Sequence, residues 1–157
     1  MIIQSFKGQY AFLSNFYPIN IFIPDVKHPI VHKLWRTSEH MYMACKTLVP
    51  FHQEHIRLLD TPGQAKYYAR GLRLRPNWDE SVKFEVMLRI LHLKFTLNQE
   101  CHDKLLTTRD ATLIEGNYWH DNCWGNCNCF KCKHIVGQNH LGKLLMQVRD
   151  TLRDVPS

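Results

Sequence analysis

The chain has no apolar run that approaches the length of a membrane span, which excludes a helical membrane protein. Its first residues lack a basic stretch followed by an apolar one and a small-residue cleavage site, so a secretory leader is not expected and a cytoplasmic location is. It has no internal repeat, no low-complexity tract and no linker rich in Pro, Gly or Ser, which argues against repeat architectures and strings of domains. Its six cysteines fall in a context that favours reduced thiols over a disulfide framework. Acidic residues are in deficit: 14 Asp and Glu face 20 Lys and Arg, for a net charge of +6.

What remains is an ordinary soluble composition, 45% hydrophobic and 22% charged over 157 residues. That length is expected to form a single domain over residues 1–157, with a core of about 6–153, burying about two-thirds of the unfolded surface. The excess of base favours anionic ligands such as phosphates, nucleotides or nucleic acid. The basic residues are nevertheless dispersed, with small clusters such as Arg70, Arg73 and Arg75, and dispersed charge serves solubility as readily as binding.

Hydrophobic spacing predicts strands over 1–6 and 19–24, where Ile19, Ile21 and Ile23 alternate, and an extended piece through Val31 and Leu34. Helices follow. One starts at Thr37-Ser38, both good N-cap residues, and carries Met41, Tyr42, Ala44, Cys45 and Leu48 at helical spacing. Others are expected over about 52–59, from Asp60-Thr61-Pro62 to Gly71, and from Asn77, whose spacing to Glu80 suits a capping box. That last helix is the longest, with Val82, Val86, Ile90, Leu93 and Leu97 as its buried face. A helix over 99–106, a strand over 111–115 and a final helix over 139–153 complete the pattern, with Leu141, Leu144, Leu145 and Val148 facing inward. Between the last two lies an irregular segment over 116–138, a length that is usually functional or tied by metal. The fold class is α+β and mostly α-helical, a compact domain with short N-terminal strands.

Several chemistry-bearing side chains sit at helix starts or in that loop: Glu39, Trp78, Asp121, Trp124 and Asn139, positions that suit a site assembled from several elements. Glu39 falls in the first turn of a capped helix, where backbone N–H groups and the helix dipole favour the ionised carboxylate. Lys46, seven residues on, lies along the same face and can pair with Glu39 or hold a phosphate. Each residue also has a plainer role. Trp78 can be a core anchor, Asp121 an Asx-turn residue, Trp124 a pocket wall or structural, and Asn15 the closer of its own turn.

Phe12-Leu13-Ser14-Asn15-Phe16-Tyr17, Trp35-Arg36-Thr37-Ser38-Glu39-His40, Leu74-Arg75-Pro76-Asn77-Trp78-Asp79, Leu93-Lys94-Phe95, Asp121-Asn122-Cys123-Trp124-Gly125 and Asn139-His140-Leu141-Gly142-Lys143-Leu144-Leu145-Met146 occur in that order. Together they resemble the NADAR domain family, also called YbiA-like or riboflavin-biosynthesis-associated N-glycosidases, over about residues 6–153. The resemblance implies hydrolysis of a ribose C–N bond. Members act on ribosylaminopyrimidine phosphates of the early riboflavin pathway, and others remove ADP-ribose from modified guanine in DNA or RNA. It implies Glu39, Trp78 and Asp121 as catalytic residues, with Asn15, Lys46, Arg70, Trp124 and Asn139 binding an ADP-ribosyl or ribosyl-phosphate substrate. The family often has Gly-Arg where this chain has Ala69-Arg70, a difference that bears on the turn there. The chemistry is coherent: breaking a ribosyl–nitrogen bond develops an oxocarbenium-like cation, which a carboxylate stabilises while a second carboxyl assists the leaving nitrogen and an indole shields the sugar.

Cys123, Cys127, Cys129 and Cys132 form C-x3-C-x-C-x2-C between His120 and His134. Cys127, Cys129 and Cys132 are close enough to hold a structural zinc, with Cys123 or a His as fourth ligand. Zinc sites more often draw on two separated pairs, so unligated thiols are the favoured reading, and the chemistry requires no cofactor. The alternative to an enzyme is a zinc-stabilised module that binds nucleotides or nucleic acid without turnover.

Overall fold

The computed structural model describes residues 1–156, which divide into two compact units, one of residues 15–99 and the other of 1–14 with 100–156. Both mix short strands with helices, and helix predominates.

In the unit of 15–99, strands β2 (Pro18–Pro24) and β3 (His32–Thr37) form an antiparallel hairpin that pairs Ile21 with Trp35 and Ile23 with Lys33. Ile19 and Ile21 point into the core while Phe22 is exposed, the alternation expected of a half-buried strand. A bulge interrupts the register between Pro18 and Ile21, and Asn20 there takes a φ of +46°. The hairpin feeds directly into α1 (Ser38–Ala44), which packs against α2 (Pro50–Leu58), α3 (Pro62–Ala69) and α4 (Lys83–Leu97). All of its residues are buried, polar ones included.

Thr61 caps α3 with Pro62 in the first turn, as the sequence indicates, and Gln64, not singled out there, completes a full capping box. Asn77 does not cap. Its φ is +59°, its side chain makes no cap bond, and residues 78–82 form a π turn in which the Val82 N–H reaches the Asn77 carbonyl at 3.1 Å. One extra residue per turn rotates everything beyond it by about 100°. The buried stripe of α4 is Met87, Ile90, Leu91, Lys94 and Phe95; of the expected face Ile90 is buried, Val86 and Leu93 are half-buried and Leu97 is exposed.

In the other unit, β1 (Ile2–Ile3) runs parallel to β4 (Thr112–Leu113), and β5 (Gly116–Asn117) parallel to β6 (Asn126–Cys127). The two longer strands expected over 1–6 and 111–115 shrink to these pairs because the flanking backbone turns away into loops. Helices α5 (Gln99–Thr107) and α6 (His140–Asp154) complete the unit, with Leu141, Leu145 and Val148 buried and α6 packed on β4. Arg149 is buried too, its guanidinium donating from Nη1 to Thr108 Oγ1 and the Ala111 carbonyl, both at 2.9 Å.

The contact of α6 with β4 depends on Gly142. A Cβ there would stand 2.1 Å from the Leu113 carbonyl oxygen and 2.5 Å from Asn139 Nδ2. Gly→Ala within a helix usually stabilises by up to about 1 kcal/mol. Gly142→Ala is expected to do the reverse and cost about 1–3 kcal/mol through overpacking against fixed backbone, read as a lowered urea midpoint at unchanged slope.

Candidate active site

The start of α1 is built by Thr37. Its Oγ1 accepts the His40 backbone N–H at 3.2 Å and lies 2.7 Å from His40 Nδ1. His40 Nε2 lies 2.9 Å from the Leu59 carbonyl, which can only accept, so Nε2 carries the proton and Nδ1 accepts from the Thr37 hydroxyl. The cap is thus bolted to the end of α2 by a neutral imidazole. Burial, foremost, holds His40 below its ordinary 6.5, with the Leu59 carbonyl opposing and Arg36 adding to the effect. The unfolded chain therefore takes up the proton first as pH falls. Stability contributed by neutral His40 is complete above 6.5 and is lost as pH drops through the window beneath it. A melting-temperature profile against pH is expected to show this loss, and His40→Gln to flatten it.

With Thr37 as cap, Glu39 occupies the first turn, only 6% exposed. Its backbone N–H donates to the Asn15 carbonyl at 3.0 Å, drawing the 15–17 loop onto the helix start. Two buried polar atoms beside it, Asn15 Oδ1 and Ser38 Oγ, have no hydrogen-bond partner in the chain. Orphans of this kind cost about 1–3 kcal/mol each, and they concentrate at functional positions. Ser38 was not among the expected site residues. Its signal was the doubled hydroxyl of Thr37-Ser38: one caps the helix, and the second is surplus to structure.

Lys46 lies beyond the end of α1, which stops at Ala44, so its alignment with Glu39 is not that of a continuous helix. The two charges still feel each other. Burial lowers the Lys46 ammonium from its ordinary 10.5, Glu39 and Asp79 oppose that shift, and Lys66 and Lys83 reinforce it. Lys46 Nζ stands 5.5 Å above the Tyr42 ring, and Tyr42 packs on Trp78 with ring centroids 5.2 Å apart. Trp78 is itself only 3% exposed, set inward by the π turn. Asn15, Glu39, Lys46 and Trp78 thus belong to one neighbourhood linked through Tyr42. Arg70 is exposed at the end of α3 with ordinary right-handed backbone, φ −60° and ψ −30°, so Ala69-Arg70 needs no glycine.

Asp121, Trp124 and Asn139 form a second group, in the other unit. Asp121 Oδ1 accepts the backbone N–H groups of Cys123 at 3.0 Å and Trp124 at 2.8 Å, an Asx-turn. Asn139 takes a φ of +51°, and its side chain accepts the Glu115 N–H at 3.0 Å and donates to the Leu113 carbonyl at 2.9 Å. Trp124 meets the His140 ring edge-on at 6.3 Å between centroids. The same loop brings His120, Cys127, Cys129 and Cys132 together; Cys123 and His134 stand outside that cluster. Among the described residues no helix is long and apolar enough to cross a membrane.

The solved NMR structure of Escherichia coli YbiA matches this fold with a TM-score of 0.78 at 35% identity, over 98% of this chain and 84% of that one. The N-glycosidase YbiA of E. coli K12 is 39% identical over 122 residues, 76% of this chain and 72% of the relative. A chloroplastic riboflavin biosynthesis protein of Zea mays, PYRR, is 32% identical over 157 residues, 92% of this chain but 24% of its own length. A helical α+β fold shared with YbiA, together with relatives named N-glycosidases, defines a hydrolase of N-glycosyl bonds. The NADAR domain model matches residues 4–153, and the chain belongs to that family.

Proposed function

We propose that the chain works in the cytoplasm as an ADP-ribosyl-guanine hydrolase, cleaving the ribose C–N bond that joins ADP-ribose to guanine in nucleic acid. The observation that carries the reading is Glu39, a buried carboxylate whose sequence neighbour Ser38 and backbone partner Asn15 each keep an unpartnered buried oxygen. A ribose offers hydroxyls that donate to Asn15 Oδ1 and exchange hydrogen bonds with Ser38 Oγ, and its anomeric carbon would lie by Glu39. Glu39 then stabilises the ribosyl cation and takes the proton of the attacking water. The electron pair of the C–N bond leaves on the base nitrogen, which acquires a proton. Lys46, Lys66 and Lys83, whose charges act on one another, suit the diphosphate, and Arg70 adds an exposed cation. Trp78 forms the aromatic wall with Tyr42. Asp121, Trp124 and Asn139, in the other unit, enter this reading through the family resemblance alone. A net charge of +6 favours a polyanionic substrate.

The second reading is a phosphorylated ribosylaminopyrimidine, favoured by the riboflavin biosynthesis name of the maize relative. Side-by-side incubation with ADP-ribosyl-guanine DNA and with the riboflavin-pathway intermediate, scored for released ADP-ribose and released ribose phosphate respectively, decides between them. Faster turnover of the DNA supports the proposal. Turnover of the pyrimidine alone establishes the second reading, and turnover of neither overturns both.

A further inference from the structure

We propose that His120, Cys127, Cys129 and Cys132 form a structural zinc site that holds the 117–135 loop. His120 and the three thiols bring one ligand atom each to within 4.8 Å of every other. His120 Nδ1 stands 3.3 Å from both Cys129 Sγ and Cys132 Sγ. Around a tetrahedral zinc, ligand atoms are about 3.6–3.8 Å apart by its bond lengths, so side-chain shifts of up to about 1 Å complete the site. One imidazole nitrogen close to two sulfurs gains little from weak S–H hydrogen bonds; a cation between them satisfies all three atoms.

The backbone is arranged to present these atoms. Parallel pairing of β5 with β6 sets Cys127 opposite Asn117. His120 takes a φ of +68°, unusual for a residue with a Cβ, and its N–H donates to Cys127 Sγ at 3.3 Å. Cys129 and Cys132 share a tight turn closed by the Cys132 N–H on the Cys129 carbonyl at 3.1 Å, a two-thiol knuckle. Cys127 and Cys132 are buried, Cys129 half-buried and His120 exposed, and four protein ligands leave no coordination position open, as in structural sites. Three thiolates and an imidazole form a borderline-soft set suited to zinc, and its net negative charge meets Lys131 and Lys133 on the same turn.

The loop has need of such a tie. Its strands are two residues each, and Phe130 and Val136 are 81% and 91% exposed, so little apolar burial holds it. The metal would act on Asp121 and Trp124 by fixing the backbone next to His120. This does not depend on which glycoside is the substrate.

The test begins with the intact chain, purified reduced from zinc-supplemented medium. Elemental analysis is expected to find stoichiometric zinc, released by a mercurial thiol reagent. Cobalt exchange is expected to give thiolate-to-metal charge transfer and the intense visible bands of a tetrahedral centre. Cys132→Ser and Cys129→Ser are expected to bring zinc down to background, Cys45→Ser to keep it, and His120→Cys to keep it with a cobalt spectrum shifted toward four sulfurs. Should the serine variants fail to fold, the wild-type cobalt spectrum decides alone. Folded wild-type protein that takes up neither metal, a six-coordinate cobalt spectrum, or a disulfide among these cysteines in the purified protein overturns the proposal.

Discussion

Glu39→Gln is expected to lower kcat/KM for N-glycosyl hydrolysis by about 10²–10⁴-fold, the range for removing a positioned acid–base group. The change is close to isosteric, and the backbone bond from residue 39 to the Asn15 carbonyl does not involve the side chain, so the melting temperature should move little. A second readout separates loss of charge from local collapse. Glu39 helps keep Lys46 protonated against burial, so in Glu39→Gln the Lys46 ammonium should titrate further below 10.5, followed by NMR of its side chain. Wild-type turnover in this variant sinks the assignment.

Trp78→Ala is expected to cost about 3–5 kcal/mol, the range for truncating a buried Trp, because the indole is 3% exposed and packs on Tyr42. That loss alone says only that Trp78 is core. Trp78→Phe separates the roles. It refills most of the volume, so the urea midpoint should recover, while loss of the larger aromatic face is expected to reduce kcat/KM by about 3–10-fold. A Phe variant with wild-type stability and wild-type kinetics would make Trp78 an anchor only.

Local spacing made part of this site legible. A hydroxyl followed by a carboxylate ahead of helically spaced apolar residues states its own geometry, and Thr37 and Glu39 stand where that pattern puts them. The cap at Thr61 is equally local. Asn77 to Glu80 offered the same kind of spacing, yet a left-handed Asn77 and a π turn replace it. Propensity has no term for an inserted residue, and of the face read on α4 Ile90 is buried, Val86 and Leu93 are half-buried and Leu97 is exposed. Contacts distant in sequence were hidden for another reason: nothing at Asn15 advertises that its carbonyl will meet the Glu39 N–H. The thiols were visible as a cluster, but the choice of His120 over Cys123 depends on one left-handed residue and a two-residue parallel pairing.

The pairing of β1 with β4 has a consequence for the order of assembly. The Thr112 N–H bonds to the Met1 carbonyl and the Ile114 N–H to the Ile3 carbonyl, so strand β1 lacks its pairing partner until residues beyond 100 have been made. Residues 15–99 form an uninterrupted stretch whose contacts are available as soon as it leaves the ribosome. The unit carrying Glu39 can therefore mature early, whereas the one carrying Asp121 must wait for both ends of its chain to meet. Slow folding, and any rescue by chaperones or metal, should be concentrated in that late closure.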